Sequence, residues 1–383
     1  MATETLPDHK ALRYARRERA LAAMEAHDLD LLVVGRVANI RYVSGVPVLW
    51  NAGTRPFGPG AVLVRSTGEV HLMSTWDEGV PEEIPHDHLY GITWNPMNYV
   101  AVLERIGADV RPRRVGTDAT SPLFAQLLPM AFPGAAIVDG GPALRHAKRV
   151  KTNEEVDAIR GALGVAEAGL AAAVAELRPG VSERELAGVF MDAMATHGVT
   201  TPATQDVVRI TTAPTTRGAG RDGRDGPVQA SDLVAFDAGV VADGYAGEVG
   251  RTWPVEPRRA GGWVRDLYDR WERLWERLLD ACQPGAAGSD LLEAYEAAGE
   301  PLPQRPIGRG LGLGFDDPVI VGDLPDTAAH ERLDPGVVLL LTGSVTDDRA
   351  TVVAHEAFLI APDGPEVLSG SPFWNRERGG VTT

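Results

Sequence analysis

The 383-residue chain is 44% hydrophobic and 23% charged, an ordinary globular composition with enough apolar material for two cores. Its formal net charge of −16 argues against nucleic acid as a partner, because phosphate binding needs a basic face. A single cysteine, Cys282, excludes a disulfide framework, and the absence of a signal-like start or of a run of about 18 apolar residues predicts a cytoplasmic protein without a membrane partner.

In chain order, residues 10–27 place apolar side chains at helical spacing. "LDLLVVG", Leu29 to Gly35, is a short apolar run of the kind that forms a buried strand. "GAVLVRSTGEVHLMS" reads as two strands around a Thr67-Gly68 turn. "RVGTDA" and "AAIVDG" are further strand ends, with a helix over "SPLFAQLLPMAF" between them. This alternation predicts an α/β domain over residues 1–145 with both sheet faces covered.

Beyond it, over residues 146–383, the pattern changes. Thr152 with Glu155, and Ser182 with Glu185, have capping-box spacing and announce two helices. Antiparallel strands follow in "VVRITTAP", "LVAFDAGVV" and "YAGEVGRTWPV", then a Trp-rich helix from Trp263 to Cys282 and more strands from Gly336 to Ile360. A Gly-rich polar loop, "TTRGAGRDGRDGPVQAS", contains Arg217, Arg221 and Arg224. Asp237 and Glu248 stand on two apolar runs joined by "ADG". Carboxylates presented that way serve a cation, a shared proton or a basic substrate.

The ordered series "VKTNEEVDAIRGA", "FDAG…DGY…RT", "GRGLGLGFDDP", "LDPGVV" and "HEAFLIAPDGPEVLS" resembles the creatinase, aminopeptidase P and prolidase family, and "NIRYVSG" resembles the small first domain of its creatinase branch. The resemblance spans most of the chain. It implies an α+β protein in which a C-terminal pita-bread domain follows a smaller N-terminal α/β domain.

Metal enzymes of that family bind two cations through two Asp, one His and two Glu, the donor set hard divalent ions need. By the same resemblance, Asp237 stands at the first Asp and Glu248 at the second, but Arg309 takes the His position and Thr342 one Glu position. The last Glu falls on His355, or on Glu356 with a one-residue slip. The loop before the Asp strand also lacks the histidine that family peptidases carry there.

A guanidinium cannot ligate a cation. Beside a dication at ~4 Å, with an effective dielectric of about 20, it costs several kcal/mol. The expectation is therefore no metal or other cofactor, with Arg309 either bridging the acidic pair or holding an anionic group of a small-molecule substrate. His355 is expected to be the general acid/base, oriented by Glu356 or Glu248.

Creatinase is the family's precedent for hydrolysis without metal. The resemblance thus implies a metal-independent enzyme acting on a small nitrogen-containing acid by hydrolysis, elimination or rearrangement. A binding protein without activity and a single-metal hydrolase using Asp237, Glu248 and His355 are the alternatives. The creatinase branch further implies a homodimer, in which the loop with Trp50, Arg55 and Phe57 reaches the neighbouring active site. Asp316 and Asp317, in a turn of the resembling motif, are expected to make the pocket more anionic, and Arg221 to bind substrate from the Gly-rich loop.

Overall fold

A computed structural model describes residues 9–46, 59–74, 77, 79–91, 95–118, 121–212 and 226–374. Trp50, Arg55 and Arg221 lie outside the described residues. The chain divides into two compact units, Met1–Glu154 and Glu155–Thr383.

The first unit alternates helices and strands: α1 (His9–Ala26), β1 (Leu31–Val34), α2 (Val37–Ser44), β2 (Ala61–Val64), β3 (Val70–Met73), a 3₁₀ turn (His86–His88) leading into β4 (Leu89–Tyr90), α3 (Pro96–Val110), β5 (Arg114–Thr117), α4 (Pro122–Ala131), β6 (Ala136–Asp139) and α5 (Gly141–Arg149). They form one mixed sheet in the order β4-β3-β2-β1-β5-β6. The fully buried "LLVV" of β1 lies at its centre, as an uninterrupted apolar run requires, antiparallel to β2 and parallel to β5. Gly68, at φ +72°, makes the β2–β3 turn. The unit ends later than the 145/146 division set from sequence. Helix α5 buries Ala143, Leu144 and Ala147, and the Tyr42 hydroxyl donates to the Ala147 carbonyl at 2.9 Å, so the whole helix belongs to the first core.

The second unit opens with α6 (Asn153–Ala175) and α7 (Glu183–Thr196), followed by β7 (Val208–Ile210), β8 (Leu233–Ala242), β9 (Tyr245–Pro254), α8 (Gly262–Ala281), α9 (Gly288–Ala298), β10 (Gly308–Leu311), β11 (Phe315–Ile320), α10 (Pro325–His330), β12 (Val338–Thr346), β13 (Thr351–Ala361) and β14 (Gly364–Val367). The strands make an antiparallel sheet in the order β11-β10-β12-β13-β9-β8-β7, with β14 on β13. At the start of α7, Ser182 Oγ accepts from the Glu185 amide and Glu185 returns a bond to the Ser182 amide, the reciprocal cap its spacing predicts.

Helix α6 is long and apolar enough to cross a bilayer, yet its Ala162, Ala166 and Leu170 are core residues packed with Phe190 and Val249. It lies so close to β9 that a Cβ at Gly247 would stand 2.3 Å from the Ala162 carbonyl carbon. Trp271, Trp275 and Phe358 form a second core under β12 and β13. Cys282 is buried there too, and burial pushes its thiol pKa up to about 12, so it is a packing residue.

Candidate active site

The strand pairing brings the chemistry into one row. Asp237 on β8 pairs with Gly250 on β9, Gly250 pairs with His355 on β13, and His355 pairs with Thr342 on β12. Glu248, two residues before Gly250, projects from the same face because strand side chains alternate. Arg309 on β10 pairs with Leu340, which is on the same face as Thr342.

Together they line a cavity of about 320 Å³ whose wall is completed by the 203–206 segment, Arg305 and Pro306. That segment is tied to β8: Thr204 Oγ1 donates to the Asp237 carbonyl at 2.7 Å, and the Ala203 amide donates to the Gly239 carbonyl at 2.9 Å.

Within the cavity, Arg309 Nη2 donates to Glu248 Oε2. Arg305 Nη1 stands 3.6 Å from Asp237 Oδ2, and His355 Nε2 stands 3.1 Å from Asp237 Oδ1. The last contact is not aligned as a hydrogen bond. Both of its atoms are buried without an aligned partner among the described residues. Burial alone would raise the pKa of Asp237. The positive field of His355, then Arg305 and Arg309, outweighs it and holds the carboxyl below its ordinary value. Arg209 on β7 reaches a narrow annex of the same cavity. Burial, followed by the like charge of Arg305, pulls its pKa down, with Asp237 and Asp206 opposing.

Several residues singled out in the sequence thus converge: Asp237, Glu248, Arg309, Thr342 and His355. Others do not. Glu356 follows His355 on β13 and so faces the other side of the sheet, where both its oxygens accept from Arg251 Nη2 at 3.0 Å and Ser369 donates to one of them. Arg251 is 1% exposed and also donates to the carbonyls of His355 at 3.0 Å and Ser371 at 2.8 Å. Thr252 exchanges hydrogen bonds with the Val353 backbone. Arg251, Thr252 and Glu356 brace strands, so the expectation that Glu356 orients or replaces His355 is corrected.

Asp316 is likewise corrected. It lies buried in strand β11 opposite Gly310 rather than in an open turn, and it is not part of the cavity wall. Arg309 pairs with Glu248, and Arg305 stands beside Asp237. Sequence reasoning missed Arg305, Asp206 and Arg209. The one signal for Arg305 was its even spacing from Arg309 in "QRPIGR".

An α/β unit followed by a unit of five described α-helices and an antiparallel sheet of this topology, with polar side chains drawn from five strands into one cavity, defines a pita-bread protein of the creatinase and prolidase type. The model of metallopeptidase family M24 matches residues 157–358, and that of the creatinase/prolidase N-terminal domain matches residues 16–150. The chain belongs to family M24.

It is 25% identical over 367 residues to the uncharacterized hydrolase/peptidase y4tL of Sinorhizobium fredii, covering 90% of this chain and 91% of the relative. It is 24% identical over 225 residues to the Xaa-Pro dipeptidase of Pyrococcus furiosus, covering 55% and 62%. Among solved structures, the Xaa-Pro dipeptidase from Bacillus anthracis superposes with a TM-score of 0.75 at 16% identity, covering 94% of this chain and 98% of the other. The prolidase from Pyrococcus horikoshii gives 0.74 at 16%, covering 94% and 99%.

Membership implies a two-metal centre, and the residues present do not fit one. Asp237, Glu248 and His355 each bring a donor atom within 4.8 Å of the others. The remaining two positions hold a guanidinium already paired with Glu248 and a threonine hydroxyl. Three donors for two dications, with a fixed positive charge on one donor, leave both ions under-coordinated and repelled.

Proposed function

We propose that the protein is a metal-independent hydrolase-type enzyme acting on a small zwitterionic, nitrogen-containing acid. The observation that carries the reading is the His355–Asp237 contact, an imidazole 3.1 Å from a carboxylate held ionised inside an open cavity. An imidazole so placed accepts the proton of an attacking water, and Asp237 offsets the imidazolium charge that forms. The new bond joins the water oxygen to the substrate carbon, the carbon–nitrogen bond breaks, and His355 returns the proton to the leaving nitrogen. Elimination or rearrangement at the same carbon uses the same proton carrier.

Recognition follows from the mixed lining. Asp206, Asp237 and Glu248 suit a cationic nitrogen, and Arg305 and Arg309 suit a carboxylate. The open volume of about 320 Å³ favours this reading over a protein without activity whose cavity is filled by apolar side chains, while the Arg309–Glu248 ion pair is the closed salt bridge such a protein would also show. The 4.8 Å clustering of Asp237, Glu248 and His355 favours a second reading, a single-metal hydrolase, which must accommodate Arg309 on Glu248.

A cytoplasmic setting accords with the lone, buried Cys282. The resemblance to the creatinase branch adds a homodimer, testable by light scattering. The deciding experiment is elemental analysis of the purified protein together with turnover of N-acyl and N-amidino amino acids before and after chelation. Turnover that survives chelation, with no metal held by the Asp237, Glu248 and His355 cluster, is the expected result. One tightly held metal per chain, with activity lost to chelator, would transfer Asp237, Glu248 and His355 to the role of ligands.

A further inference from the structure

We propose a second, separate site in the first unit: a binding site for a zinc-class divalent cation formed by Glu69, His71 and His88. Each offers one donor atom, and the three lie within 4.8 Å of one another. Donors bound about 2 Å from one ion stand roughly 3.3 Å apart, so the set closes by movements of about 1.5 Å, with one imidazole turned out of the stack so that both lone pairs meet at the ion.

The supporting contacts are those that prepare ligands. His71 Nδ1 is 3.0 Å from the Tyr90 hydroxyl, which leaves Nε2 as the nitrogen free to bind. Glu69 Oε2 accepts from Thr67 Oγ1 at 2.8 Å, which anchors one of its two carboxylate oxygens. His88 Nδ1 is buried and has no hydrogen-bond partner among the described residues.

The two imidazoles stack at 4.1 Å between centroids, with 25° between their planes. Stacked rings at that distance cannot both carry charge comfortably. Two imidazoles and one carboxylate match zinc, cobalt or nickel rather than magnesium or calcium, and they leave an outer coordination position open. The site draws only on β3, the residue preceding it and the turn before β4, all at one edge of the first sheet.

The test isolates this cluster from the cavity by using the full chain with Asp237→Asn and His355→Gln. Zinc titrated calorimetrically into that metal-stripped protein should bind at one equivalent, and cobalt should give the absorption of a low-coordinate N/O site. His88→Gln and His71→Asn should each weaken binding at least tenfold, and Glu69→Gln by a smaller factor. Because His88 is only partly buried, His88→Gln should keep the fold, checked by circular dichroism, and should lose the zinc-induced rise in melting temperature. Absence of zinc binding in the Asp237→Asn/His355→Gln protein would overturn the proposal, as would binding that survives His88→Gln unchanged.

Discussion

His355 and Asp237 meet over a glycine. They belong to strands on either side of β9, and both pair with Gly250, whose missing side chain leaves the space in which the imidazole lies. A Cβ at Gly250 would stand 2.1 Å from His355 Cε1 and 2.3 Å from Nδ1. Gly250→Ala is therefore expected to move the ring off Asp237. Turnover should fall at least tenfold while stability drops by about 1–3 kcal/mol, as for other overpacked sites. Nitrogen-15 NMR of the histidine side chain, with urea unfolding alongside, checks both. An unchanged His355 signal would break the link between this glycine and the site.

Restoring family donors should restore metal affinity. Arg309→His removes the cation from Glu248, and Thr342→Glu adds a carboxylate next to His355 in the row. The double variant is expected to retain divalent cation after dialysis, measured by mass spectrometry, at a level the unaltered cavity does not reach. The first-unit cluster is removed beforehand by His88→Gln so that only the cavity is counted.

Asp237 sets a pH dependence with a defined sign. Its folded pKa lies below the ordinary 3.8, so its ionised form stabilises the fold above that pH, and the contribution is lost as pH falls through the folded value. The difference in melting temperature between the wild type and Asp237→Asn should therefore be steady from pH 7 to about 5 and shrink below about 4. A difference that grows on acidification would reverse the assignment.

On the opposite face, the Arg251–Glu356 pair is a structural brace. Removing one partner strands a buried charge, so Arg251→Ala is expected to cost about 3–5 kcal/mol in denaturant unfolding. Glu356→Gln keeps hydrogen-bonding capacity and should cost less, with cavity chemistry preserved. Selective loss of turnover by Glu356→Gln in a protein of normal stability would return Glu356 to the active site.

The fold was legible because β1, β8, β9 and the capped helix α7 carry their signals locally, in apolar runs and in the Ser182–Glu185 spacing. Asp237, Glu248, Arg309 and Thr342 were legible through family motifs. The choice between His355 and Glu356 was not, because neighbours on a strand differ only in which face they take, and that is fixed by pairing with Gly250 across more than a hundred residues of sequence. Arg305 and Asp206 were hidden for another reason. They enter from segments outside the strands, and Asp206 is brought in by the bonds that tie the 203–206 segment to β8. Asp316 misled because a "GFDDP" stretch looks like a turn, whereas antiparallel pairing with β10 draws it into a strand.

The tryptophans behind the sheet have a practical consequence. Trp271 and Trp275 stack at 5.3 Å, and Trp271 Nε1 donates to the carbonyl of Gly343, the residue next to cavity-lining Thr342. The electronic transitions of two indoles so close together couple, and the hydrogen bond links one of them to the strand that forms the cavity floor. The protein thus carries its own optical reporter. Occupancy of the cavity can be followed by ultraviolet emission and near-ultraviolet circular dichroism, without label, before any substrate is known.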